Sequence, residues 1–183
     1  MVSSPAESSE VEVAGLSVRV QRQVEVASLR YFDAADRFLA AVRAFLEGPM
    51  PAPLRALRAE ARVGGAPSFI LLWRSPTETL LLSYDPAAFA ELDERVASEV
   101  DGCMVVQTGS IRVLRVAGPK ARDLLLRLGS ASALPALGEA RTGRLAELQV
   151  LTACVQAGEY LLLVERVYAN HLLDWIRATV ADF

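Results

Sequence analysis

Few side chains in this sequence are of the types that carry chemistry, and their spacing limits what they could do. The single histidine, His171, stands three residues before Asp174 in a segment with helical periodicity. That spacing would let a carboxylate orient an imidazole as a general base. Such a base needs a nucleophile and an oxyanion hole, and no Gly-x-Ser-x-Gly elbow or comparable turn occurs. The plainer reading is a histidine on a helix surface. With one histidine and no Cys-x-x-Cys pair, neither a multi-histidine zinc site nor a zinc finger can be built. Cys103 and Cys154 lie in apolar runs and are expected as two small buried hydrophobes, not as a disulfide. Lys120, the only lysine, is the one candidate for Schiff-base chemistry, and it falls at an expected exposed helix start. The glycines form neither a Gly-x-Gly-x-x-Gly turn nor a Walker loop, so no self-contained dinucleotide or ATP site is expected. Glu91, Asp93, Glu94 and Arg95 read as a solvated helix face. Trp73 and Trp175 read first as core residues and second as interface anchors, a role for which tryptophan is well suited.

Composition sets the frame for these residues. The chain has 183 residues, 52% of them hydrophobic and 22% charged, with a formal net charge of −3. Mean hydropathy is +0.29 and the pI is about 5.3. This is material for one large domain or two small ones, and too apolar for a disordered chain. The mild acidity gives no electrostatic footprint for nucleic acid or an anionic membrane. No apolar run approaches the ~18 residues of a membrane span, and the first residues lack the basic and apolar regions of a signal peptide. A soluble, cytoplasmic protein is the expectation.

The elements that must position these residues follow from periodicity. Residues 1–12 are expected to fray. Leu16, Val18 and Val20 alternate with polar residues, and Val24 and Val26 continue that phase before it slips to Ala27, Leu29 and Tyr31. This predicts a strand with a bulge, or a break into a second strand. Asp33 is the expected cap of a helix whose buried stripe is Ala35, Phe38, Leu39, Val42, Phe45 and Leu46, ended by Gly48-Pro49. Residues 53–63 are open between a short helix and a connection, and Gly64-Gly65-Ala66-Pro67 punctuates the chain. Phe69–Trp73 and Thr79–Leu82 predict a hairpin. Asp85-Pro86 opens a helix buried through Phe89, Leu92 and Val96. Strands are expected near Met104–Gln107 and Ile111–Val116, then a helix from Gly118-Pro119 through Leu128. Residues 129–144 read as a long loop. Strands at about 145–155 and 159–164 precede a last helix with Tyr168, Leu172, Trp175, Ile176 and Val180 turned inward.

The halves echo each other. Leu29-Arg30 matches Leu114-Arg115, Arg37 matches Arg122, and Glu78 with its three leucines matches Glu159 with its own. The expected fold is therefore α+β, from two repeated strand-helix-hairpin-helix units whose antiparallel or mixed sheets are covered by helices. The division expected is a 1–12 tail, a first half over 13–107 and a second over 108–183. Neither half buries enough alone, so the two sheets must join or pack.

Four stretches carry a family resemblance. They are Leu72-Trp73-Arg74-Ser75-Pro76-Thr77-Glu78-Thr79-Leu80-Leu81-Leu82; Val113-Leu114-Arg115-Val116-Ala117-Gly118-Pro119-Lys120-Ala121-Arg122-Asp123-Leu124-Leu125; Leu145-Ala146-Glu147-Leu148-Gln149-Val150; and Tyr160–Arg166 with Tyr168–Trp175. In this order they resemble the gamma subunit of heterotetrameric sarcosine oxidase and, more distantly, the folate-binding aminomethyltransferases of the glycine-cleavage T-protein type. Two departures bear on chemistry. Val105–Ser110 has no carboxylate where the aminomethyltransferases place their working aspartate, Asp101 being too far upstream to substitute. Thr79 stands where a second tryptophan is usual. Both count against folate-dependent catalysis by this chain.

The resemblance implies a non-catalytic subunit with a structural or assembly role in oxidative demethylation of sarcosine. FAD, FMN, NAD, tetrahydrofolate and zinc would then sit on partner subunits of the alpha, beta and delta types. No catalytic, cofactor or metal residue is expected in this chain, and partner contacts are expected at Trp73, Arg115 and Trp175. The alternative is a stand-alone folate or small-ligand binder with a cleft between the halves, able to form a homo-oligomer.

Overall fold

The computed structural model describes residues 10–33, 35–59 and 69–183. The Gly64–Pro67 punctuation and most of the expected tail lie outside the described residues. Chain order is β1 (Glu10–Val13), β2 (Leu16–Gln21), β3 (Glu25–Tyr31), α1 (Arg37–Leu46), β4 (Ala56–Ala59), β5 (Phe69–Ser75), β6 (Glu78–Ser83) and α2 (Pro86–Val96). It continues with β7 (Gly102–Val106), β8 (Ile111–Ala117), α3 (Ala121–Leu128), β9 (Glu139–Leu145), β10 (Leu148–Gln156), β11 (Glu159–Glu165) and α4 (Ala169–Val180).

Two antiparallel sheets form, ordered β1-β2-β8-β11-β10-β9 and β4-β5-β6-β3-β7. They stack face to face, with a helix pair on each outer face. Leu80 and Leu82 of β6 meet Leu161 and Leu163 of β11 in the core between the sheets. Leu81 turns the other way onto Phe38, Leu39 and Leu92 of α1 and α2. Leu162 likewise turns onto Leu124, Leu172 and Ile176 of α3 and α4. Runs of three leucines are thus explained by strands buried on both faces, where alternation has no polar side to show.

A break into a second strand does occur, but earlier than the slip expected after Val26, across which β3 runs in unbroken register. β2 pairs with β8 and β3 with β6, so the chain changes sheets at residues 22–24. β7 pairs with β3 before the chain enters β8. The six-stranded sheet thus takes β1 and β2 from the N-terminal end of the chain, while every strand of the five-stranded sheet comes from the first half. Gly118 supports the seating of the β1–β2 hairpin in the sheet of β8. It adopts φ +120°, and a Cβ there would lie 2.5 Å from the Gly15 carbonyl at the β1–β2 turn.

Several expectations need correction. Glu10–Val13 is a strand, not part of a tail. The 53–63 stretch contributes β4 and no helix within its described part. The loop expected at 129–144 contains β9, whose sequence Glu-Ala-Arg-Thr-Gly-Arg-Leu lacks a strand's β-branched alternation; it forms because β10 pairs along its whole length. Asp33 does not cap α1, and Ala35 lies outside that helix, exposed. Tyr168 and Trp175 face outward on α4. Cys103 is exposed; only Cys154 is buried. The hairpins β5–β6 and β10–β11 bulge after Trp73 and after Cys154, opposite Thr79 and Tyr160. Leu29 pairs with Thr79 and Val116 with Tyr160.

Candidate functional site

Polar side chains between the sheets are held in closed sets. Arg115 lies on the inter-sheet face of β8 and donates to Glu159, at the start of β11, at 2.6 Å. This hydrogen bond holds the Glu159 carboxyl below the usual carboxylate range against the opposing effect of burial, and raises the Arg115 guanidinium. Tyr84, just after β6 in the facing sheet and 44% exposed, lies within electrostatic range of the pair. Burial first, and the Glu159 charge second, push its hydroxyl up, while Arg115 and Arg58 pull the other way. All three side chains therefore keep one protonation state near neutrality, which suits a clamp and not a proton relay.

Glu78 is the centre of a second set. It accepts from Ser28 Oγ and, at 3.2 Å, from Arg74, with Arg30 at 3.8 Å. On the other face of β6, Thr79 makes a buried 2.9 Å hydrogen bond to the Tyr31 hydroxyl. A tryptophan there would leave the phenol without this partner. The segment Val105–Ser110, which carries no acid of its own, receives one from β3. Thr108 Oγ1 donates to Glu25 at 2.7 Å and accepts from Val26 N–H at 2.9 Å. Sequence reasoning missed Glu25, whose only signal was its place at the start of a strand.

The His171–Asp174 pairing does not form. Asp174 accepts from Arg177 at 2.8 Å, and the His171 ring meets Trp175 edge-on at 6.5 Å. Asp101 caps α1 by accepting from Arg37 and Phe38 N–H. Cys154 is held protonated by burial. Among the described residues, no three His, Cys, Asp or Glu side chains come together as a metal site. A cavity of about 90 Å³ opens between the sheets beside Arg74, Thr142, Gln149 and Glu165.

What the molecule does present is apolar surface. One ridge runs along α4 through Tyr168, His171 and Trp175, the last 49% exposed. Their i, i+3, i+7 spacing places them on one helical face. A second region joins Phe32, 85% exposed, and Val100, 91% exposed, to the strand β7. The three residues expected at a partner contact occupy three layers. Trp175 is on α4, Arg115 is between the sheets, and Trp73 is half-buried on β5 beside Thr79.

No protein-family model matches the sequence, and no curated protein matches it. Among solved structures, the fold is that of a chain of heterotetrameric sarcosine oxidase from Corynebacterium sp. U-96 in complex with pyrrole 2-carboxylate. The TM-score is 0.79 at 23% identity, over 97% of this chain and 90% of that one. It is similar too to the glycine cleavage system aminomethyltransferase T from Bartonella henselae, with TM-score 0.68 and 15% identity. That match covers 88% of this chain and 45% of the aminomethyltransferase, so the present chain spans about half of that enzyme's length.

Proposed function

We propose that this chain is a gamma-type subunit of a heterotetrameric sarcosine oxidase-like complex and that its own role is structural. The observation that carries the reading is the near end-to-end likeness, in both directions, to one chain of such an oxidase. The side chains fit a supporting part, since Glu78, Glu159 and Asp174 are each engaged by arginine. No helix among the described residues is long and apolar enough to cross a membrane, in keeping with a cytoplasmic setting. On this reading FAD, FMN, NAD, tetrahydrofolate and zinc belong to alpha, beta and delta partners. Trp175, with Trp73 and Arg115 at lower exposure, contributes to contacts with them. The halves 13–107 and 108–183 are copies of one unit, with β2 of the first half paired into the sheet of the second.

The test is purification of the tagged chain from its source cells. Recovery of flavin-containing partner chains, together with sarcosine-dependent formation of hydrogen peroxide by the complex and not by the chain alone, is the expected outcome. Turnover by the isolated chain would overturn it. So would a partner-free chain stabilised against heat by tetrahydrofolate, which favours the stand-alone binder.

A further inference from the structure

Three of the four sheet edges are charged or covered. β1 carries Glu10 and Glu12, both paired with Arg19. β4 and β9 meet at their first residues, through Ala56 N–H to the Gly138 carbonyl at 3.0 Å and Ala140 N–H to the Leu54 carbonyl at 2.9 Å, and carry Arg58 and Arg141 with Arg144 beyond that point. The fourth edge, β7, reads Gly102-Cys103-Met104-Val105-Val106, without a charge or a proline. Natural edges are usually blunted by such residues, and one that is not is a ready template for another strand.

The ladder fixes which groups are free. Cys103 pairs with Arg30 and Val105 with Ser28, and Gln107 N–H donates to the Val26 carbonyl at 2.7 Å. In an antiparallel pair inward and outward residues alternate. The N–H and C=O groups of Gly102, Met104 and Val106 therefore point away from the sheet, and no hydrogen bond joins them to another described residue. Beside this edge opens a cleft of about 730 Å³ lined by Phe32, Val100, Gly102, Cys103 and Arg30. Free backbone groups next to an apolar cleft are the requirements for recognition by strand addition.

We propose that β7 and this cleft receive an extended segment of a partner chain as an added strand, with apolar side chains over Phe32 and Val100 and a carboxylate facing Arg30. Backbone groups in register can be supplied only by an extended chain. The acid follows from Arg30, which is exposed and lies at the long distance of 3.8 Å from a Glu78 already engaged by Arg74 and Ser28. A second copy of this chain does not supply it. Paired antiparallel about Met104, it would bring Val105 next to Cys103 and Arg30. The source of the strand rests on the subunit reading above; the free edge does not.

The experiment uses the full chain in its source cells. Iodoacetamide labelling of Cys103 in intact cells and amide exchange of Met104 and Val106 in the purified complex are compared with the isolated chain. Protection of about tenfold or more at all three positions is expected. Met104→Pro, which removes an outward N–H only, and Val106→Lys are expected to keep the thermal midpoint within a few degrees and to lose the partner by about tenfold or more. A complex that forms with Cys103 freely labelled overturns the edge proposal and leaves the subunit reading intact. A chain that is partner-free in cells with Cys103 freely labelled overturns both. A homodimer lost on Val106→Lys makes the occupant a second copy and overturns the partner strand.

Discussion

Asp101 Oδ2 accepts the Arg37 amide at 2.7 Å, while its other oxygen takes the Phe38 amide at 2.9 Å. A carboxylate from the loop before β7 thereby caps a helix that packs on the outer face of the β4-β5-β6-β3-β7 sheet. The hydrogen bonds from Phe38 and Arg37 hold the Asp101 carboxyl below its ordinary value. Because its native pKa lies below the unfolded one, this contribution is present above the ordinary aspartate range and lost as pH falls through the native value. Asp101→Ala should lower the thermal midpoint at neutral pH, and the difference from the parent should vanish in strong acid. A difference independent of pH would show that the cap does not act through charge.

The cap that was legible in the sequence gives a local comparison. Asp85 accepts from Ala87 and Ala88 N–H at 3.0 and 3.2 Å. Asp85→Ala should cost about 1 kcal/mol, read as a fall of roughly 2–4 °C in thermal midpoint.

For the Arg115–Glu159 pair, which joins the neighbouring strands β8 and β11, a double-mutant cycle of Arg115→Met with Glu159→Gln should return a coupling of about 1 kcal/mol, the pair being only partly buried. Glu159 has a depressed native pKa, so the coupling should be full above the usual glutamate range and fade as acid protonates the carboxylate. A cycle that sums to zero at pH 7 would assign the pair no role in joining strands.

The two thiols should separate cleanly. Cys103 is exposed on β7, whereas Cys154 is buried and its thiol is pushed up by desolvation. An Ellman titration of the native isolated chain should count one fast thiol, and denaturation should release the second.

On α4, Trp175→Ala should leave stability within about 0.5 kcal/mol of the parent, but weaken association by about 2 kcal/mol, roughly thirtyfold, if the aromatic ridge anchors a partner. Leu172→Ala, one face away and fully buried, should cost about 2–5 kcal/mol of stability. Equal effects of the two on unfolding would contradict the outward placement of Trp175.

The helices and central strands could be read because local rules set them: the α1 stripe from Phe38 onward, the α2 stripe, the Asp85-Pro86 start and the hairpin after Trp73 appear where periodicity puts them. β9 could not, because a strand of Glu, Ala, Arg, Thr and Gly is stabilised by its neighbour and not by its own side chains. Tyr168 and Trp175 misled because an aromatic at helical spacing fits a buried stripe and a surface ridge equally well. Their neighbours Ala169, Leu173 and Ile176 fill the inner face instead.

By itself the sequence determined the α+β class, the hairpin strands at the leucine runs and the scarcity of proton-moving groups, since these depend on residue type and on spacings of a few positions. Tertiary structure alone decided that β2 joins β8 in the other sheet, that Glu25 meets Thr108 and Asp101 meets α1, and that no described strand lies on the outer edge of β7. Those outcomes join residues scores of positions apart, and a pairing at that range is chosen by the packing of whole sheets, which no local pattern encodes.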